Sequence, residues 1–149
     1  MHIVLYKPDI PQNTASIIRL SACLKLDLHI IEPCGFNLSD TRFKRVVLDY
    51  MGLIKIFRYD SYDSFMKKNE KSRIVLMTTK AKKLYHKFKF KKDDMLLFGR
   101  ESAGVPKYIQ KTIKNKLKVP MHKNARSLNV AISVAIISSE ALRQNNLLK

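Results

Sequence analysis

Glycine is scarce in this chain, four in 149 residues, and acidic side chains are few, twelve against 29 lysines and arginines; there are only two cysteines. Each shortage closes off a class of function. With so few glycines, no Gly-x-Gly-x-x-Gly follows the first apolar run and no Gly-Lys-Ser/Thr loop occurs, which removes the usual support for nicotinamide or nucleoside-triphosphate chemistry. Cys23 lies in an apolar helical pattern and Cys34 follows Pro33, a spacing that suits neither a disulfide framework nor a metal site, so both are expected to be buried thiols in a reducing compartment. No His, Cys or carboxylate cluster has metal-ligand spacing, so no metal is expected. No apolar run approaches the length of a bilayer span, and Met1 to Lys7 turns polar too soon for a signal peptide. A cytoplasmic protein without a membrane partner is expected. Nothing resembles a linker, so residues 1–149 are read as a single domain.

What the chain has in excess is positive charge. The formal net charge is +17, while an apolar fraction of 46% is ordinary for a folded protein, so the excess lies on the surface of a cored body. A field of that size attracts polyanions, of which nucleic acids are the commonest soluble kind. Acidic membranes compete for the same charge. The basic residues, however, are spread over several elements instead of forming one amphipathic helix. Lysine-rich drift without a binding role is the plainer alternative.

Periodicity predicts alternating strands and helices. Strands are expected at 3–6, 28–32, 54–59, 73–78, 95–98 and 116–119, with helices from Asn13 (as N-cap), over 39–46, over 61–68, after Pro106 and over 127–143. Between 80 and 92 lies a lysine-crowded stretch interleaved with Tyr85, His86, Phe88 and Phe90. Such alternation argues for an α/β fold, a mostly parallel sheet with helices on both faces. The last helix is apolar on nearly every side from Leu128 to Ile137, which requires cover all round, and in so small a domain the cover is expected to include a second subunit.

Three segments far apart in the chain share one punctuation, an apolar run followed by a polar or Gly/Pro loop. They are Pro11-Gln12-Asn13-Thr14-Ala15-Ser16-Ile17-Ile18-Arg19, Phe98-Gly99-Arg100-Glu101-Ser102-Ala103-Gly104-Val105-Pro106, and Val119-Pro120-Met121 running on to Arg126-Ser127-Leu128-Asn129. Loops after strands are where α/β sheets build sites. Taken singly, Gly-x-Glu-x-x-Gly could be a plain turn, Arg19 a surface residue, and Ser127 or Asn129 a helix cap.

In combination these segments resemble the three motifs of the SpoU branch of the SPOUT RNA 2'-O-ribose methyltransferases, over nearly the whole chain. Within that family the pattern is similar to its small members that lack an added RNA-binding domain and methylate the wobble ribose of tRNA, at a cytidine or modified uridine. Ile3 to Tyr6, Ile30 to Pro33 with Gly35-Phe36, Leu48-Asp49-Tyr50 and Thr78-Thr79-Lys80 also match. The resemblance implies a C-terminal trefoil knot, a homodimer built through the knot and last helix, and S-adenosyl-L-methionine (AdoMet) as methyl donor. It implies AdoMet contacts at Met77, Gly99, Val119 and Ser127, and catalytic or substrate-side roles for Asn13, Arg19, Glu101, Ser127 and Asn129. Arg42, Arg45, Lys80, Lys123 and Arg126 are candidates to hold the tRNA anticodon stem-loop. The chain departs from the motifs at Ala15, where glycine is usual, and at Ser138-Ser139, where an aromatic is common late in the final helix. Alternatives are an enzyme of the same family acting at another tRNA or rRNA position, an RNA-binding module without catalysis, and a flavodoxin-like partner protein.

Overall fold

A computed structural model describes residues 1–147. Seven strands, β1 (His2–Tyr6), β2 (Asp27–Ile31), β3 (Ile56–Tyr59), β4 (Ile74–Met77), β5 (Lys83–Leu84), β6 (Met95–Phe98) and β7 (Asn115–Lys118), form one sheet in the order β3-β2-β1-β6-β4-β7-β5. All pairings between these strands are parallel. Five helices complete the fold: α1 (Pro11–Leu24), α2 (Thr41–Met51), α3 (Tyr62–Lys68), α4 (Lys107–Thr112) and α5 (Val130–Gln144).

Successive strand residues point to opposite faces, and the core divides accordingly. Ile3, Leu5, Leu28, Ile30, Val75, Leu96, Phe98 and Leu117 face α1, α2 and α5, meeting Ile17, Ile18, Phe43, Val47, Val134 and Ile137. Val4, Tyr6, Ile31, Leu76, Met95 and Leu97 face the other way, toward Phe65 of α3 and Ile109 of α4. Helices therefore cover both faces, as the alternation predicted, and the central strands are apolar on both sides because both sides are covered. Each fully buried Ile or Leu here contributes about 1.5–3 kcal/mol by leaving water.

Several boundaries differ from the sequence-based expectation, each for a local reason. Helix α1 begins at Pro11, with Ile10 at the cap, so Asn13 is not the N-cap. Proline at the first helical position supplies the preset φ and lacks only an N–H that needs no helical partner. Asn13 is thereby freed for tertiary contacts. Helix α5 begins at Val130, not Ser127, because the Asn129 side chain accepts hydrogen bonds from the N–H groups of Ala131 and Ile132. Helix α2 continues to Met51 from an Asp40 cap, beyond the expected end at Val46. The lysine-rich stretch holds a short strand, β5, that its sequence did not signal. Cys23 is exposed and Cys34 half-buried, so neither is the core thiol expected; Cys23 falls on the outer stripe of α1, and burial pushes the Cys34 thiol up to about 11.

Candidate active site

Strands β1, β6, β4 and β7 end almost level, with Leu5 paired to Phe98, Phe98 to Met77, and Met77 to Leu117. Their following loops consequently emerge along one edge of the sheet. Between them opens a cleft of about 420 Å³, floored by Phe98, Leu117 and Ile137 and walled by the loops after β4, β6 and β7. Residues of all three segments singled out in the sequence line it.

The middle loop is held in a tight reversal. Arg100 and Gly104 form an antiparallel bridge, with the Gly104 N–H donating to the Arg100 carbonyl at 2.8 Å. Gly104 has φ +68°, a conformation that L side chains rarely adopt, and a Cβ on Gly99 would come within 2.6 Å of the Gly104 backbone. The two glycines are thus required for different reasons, one for conformation and one for space.

Glu101 projects from this loop and joins all three segments. Its Oε2 accepts the Asp9 N–H at 2.8 Å and its Oε1 accepts the Asn13 side-chain amide at 2.9 Å. The Asn13 carbonyl oxygen in turn accepts the Asn129 amide at 2.9 Å. Direction along this chain is fixed at its far end: the Asn129 oxygen is occupied by the α5 N–H groups, so its nitrogen must donate to Asn13, whose own nitrogen must then donate to Glu101. Glu101 accepts at both oxygens.

A second contact pins the same loop. Asp9, just after β1, accepts from the Arg100 guanidinium and from the Ser102 N–H and hydroxyl at 3.1 and 2.5 Å. The Arg100 contact, reinforced by Ser102, holds the Asp9 carboxyl at about 2, below its ordinary value. Sequence reasoning missed Asp9, Arg100 and Ser102 as positioning residues. The available signal was that Asp9 lies between Pro8 and Pro11 directly after a strand, on the sheet edge where sites form.

The structure brings Asn13, Met77, Lys80, Gly99, Glu101, Val119, Ser127 and Asn129 to this cleft. It does not bring Arg19, which is exposed on α1 with its guanidinium 5.2 Å from the Tyr50 ring. Arg42 and Arg45 lie on α2, Arg42 lining a second cleft, while Lys123 and Arg126 are exposed on the loop between β7 and α5.

Comparison with known proteins finds relatives along nearly the whole chain. The chain is 43% identical over 144 residues to a tRNA (cytidine(34)-2'-O)-methyltransferase of Beijerinckia indica, covering 95% of this chain and 90% of the relative. It is 37% identical to the enzyme of the same name from Escherichia coli K12, over 97% of this chain and 93% of that one. A solved structure described as giving structural insights into the 2-OH methylation of C/U34 on tRNA superposes with a TM-score of 0.92 at 36% identity, covering 97% and 95% of the two chains. The SpoU methyltransferase AviRb of Streptomyces viridochromogenes, solved in complex with the cofactor AdoMet, superposes at 0.87 with 25% identity, over 98% of this chain and 60% of its own. The model of the SpoU rRNA Methylase family matches residues 1–139, and the chain that carries these three converging loops belongs to that family.

Proposed function

We propose that this protein transfers a methyl group from AdoMet to the ribose 2'-hydroxyl of the tRNA wobble nucleotide. The observation that carries the reading is the hydrogen-bonded line from Glu101 through Asn13 to Asn129, which ties three distant segments into one cleft wall. Relatives of the same length carrying that activity in their names support the choice of tRNA.

The cleft suits AdoMet on its own terms. Gly99 presents bare main chain where any side chain would collide with its own loop, the floor is apolar, and the main chain of Val119 to Met121 offers amide and carbonyl groups beside it. Met77, Gly99, Val119 and Ser127 are the residues that would hold it. When bound, AdoMet supplies an activated methyl on a sulfonium, so no further activation of the leaving group is needed. The chain's own contribution is alignment and charge. Glu101 fixes the separation of the middle loop from α1. Asn13 spends its oxygen and one N–H on that line, and Asn129 spends one N–H there and its oxygen on the α5 cap, which leaves each amide one further N–H for the cleft.

Arg19 serves as a positioning cation and not as the proton acceptor. Its role is to hold an RNA phosphate and stabilise negative charge developing on the ribose oxygen. Gln12, Ser16, Arg19 and Cys23 form the exposed stripe of α1, and on neighbouring α5 Ile132 is 53% exposed. These faces support a homodimer in which α1 and α5 meet a second copy and bring Arg19 to the RNA. Support for a trefoil knot comes from β7, which lies between β4 and β5, and from Gln144 of α5, which bonds the Phe88 carbonyl and the Phe90 N–H, both at 3.0 Å. The chain acts as one domain in the cytoplasm, with Lys80 in the cleft, Lys123 and Arg126 on the exposed loop between β7 and α5, and Arg42 and Arg45 on α2 gripping the anticodon stem-loop. No described helix is long and apolar enough to cross a membrane.

The test is methyl transfer from labelled AdoMet to unmodified tRNA, with the product nucleotide mapped by mass spectrometry. Label at the wobble ribose is expected; label at another nucleotide, or none, overturns the reading.

A further inference from the structure

The first turn of α1 has a cleft on each side. Asn13 lines the one described above, while Pro11, Gln12 and Ala15 line a second, of about 420 Å³, closed on the far side by Phe36, Phe43 and Val46. That volume is within the range of small-molecule pockets, about 300–1,000 Å³. We propose that this second cleft is a nucleobase subsite, holding the base of the nucleotide next to the methylated one. The inference rests on the methyltransferase reading and adds to it a place where the substrate's sequence context is felt.

Three observations converge on an RNA base as the occupant. Phe36 is half-buried and rests on the core ring of Phe43, 5.2 Å away at 46°, giving an aromatic wall of the kind on which unpaired bases stack. Around them are Gln12 and Asn37, whose amides can donate and accept, and the Asp40 carboxylate that caps α2. At the rim Arg42 lines the cleft with only a 3.7 Å contact to Asp40, and Arg45 is exposed one turn further along the same side of α2, so a phosphate backbone passing over the cleft meets two cations.

Position selects which base. The two clefts are separated by the width of α1, about 10–12 Å with side chains. A ribose presented at one cleft cannot also put its own base in the other, whereas the adjacent nucleotide spans that gap. Val46 is 67% exposed at the cleft edge, an apolar side chain without a partner in the described chain. The Ala15 methyl, where the family motif has glycine, also lies in this cleft, so the departure noted in the sequence falls on the surface that touches the base and not on the methyl-transfer side.

The experiment is a cycle between protein and RNA variants, using synthetic anticodon stem-loop RNA and AdoMet. Phe36→Leu removes the aromatic wall and Ala15→Leu fills the cleft; both are neutral, and AdoMet affinity and melting temperature report folding. Each is expected to raise KM for the stem-loop about ten-fold while leaving kcat and AdoMet affinity unchanged. An abasic site beside the methylated nucleotide is expected to raise KM similarly in the wild type and to add nothing in Phe36→Leu. Additive effects at both neighbouring nucleotides, or coupling only to the methylated nucleotide itself, overturn the proposal. So does a shift of either variant from dimer to monomer in sedimentation, which would make the cleft an interface between copies. If wild type transfers no methyl group to any tRNA, it is the methyltransferase reading that fails; if wild type is active and the variants behave like it, the subsite alone fails.

Discussion

Two carboxylate–guanidinium pairs mark opposite edges of the sheet. At the edge where strands begin, Asp94 is fully buried and accepts from Arg73 at 2.5 and 2.6 Å and from the Lys91 N–H at 2.8 Å. Arg73 also donates to the Lys89 carbonyl and covers the Phe88 ring, so the carboxylate is fully enclosed while the Arg73 side chain keeps 28% exposure. Where strands end, Asp9 and Arg100 make the same pairing, but Arg100 remains 37% exposed and the adjacent Glu101 faces the cleft. The same chemistry thus serves as a joint in one place and as the rim of a site in the other. What separates the two is whether the neighbouring polar groups are used up within the fold.

The sharpest way to test that contrast is to cut both pairs. Asp94→Ala leaves the part-buried Arg73 guanidinium and the Lys91 N–H without their acceptor and is expected to cost about 3 kcal/mol in urea unfolding, with methyl transfer per folded molecule unchanged. Gly99→Ala forces its new methyl group into the Gly104 backbone, with an expected cost of about 1–3 kcal/mol and, unlike the first variant, at least a ten-fold loss of AdoMet affinity by calorimetry. Glu101→Gln places an N–H where an acceptor is needed; methyl transfer should fall about ten-fold or more, with a stability loss of about 1 kcal/mol.

Acid provides a gentler comparison. The Asp9 carboxyl is held below its ordinary value of 3.8, at about 2, so its contribution is complete above about pH 4 and is lost as pH falls toward 2. The stability gap between wild type and Asp9→Asn, about 1 kcal/mol near neutrality for a partly exposed pair, should close across that interval; a gap constant with pH would show that Asp9 acts through packing. Smallest in energy, Lys123→Ala or Arg126→Ala should leave folding untouched and lower the salt slope of tRNA binding by about 1 each.

The strand–helix alternation was legible because the strands are apolar on both faces and the helices carry the longer period. The cleft was legible in part, since Gly99, Glu101, Ser127 and Asn129 stand in loops after strands. Asp9 was not, because its role depends on Arg100 and Ser102, more than 90 positions away, and no local pattern encodes such a meeting. Strand β5 escaped for a related reason: two residues with a single partner strand have no periodicity of their own. Asn13 was misplaced as a cap because a residue that suits a cap also suits a tertiary hydrogen bond, and Pro11 had already set where the helix begins.

The strand order also governs when the molecule becomes complete. Strand β5 follows β4 in the chain but pairs only with β7, more than 30 residues later. Until that late segment arrives, the edge beyond β4 stays open, and β5 has no strand to pair with. The loop after β7 also walls the cleft, so the strand that gives β5 its partner is the one whose docking completes the site.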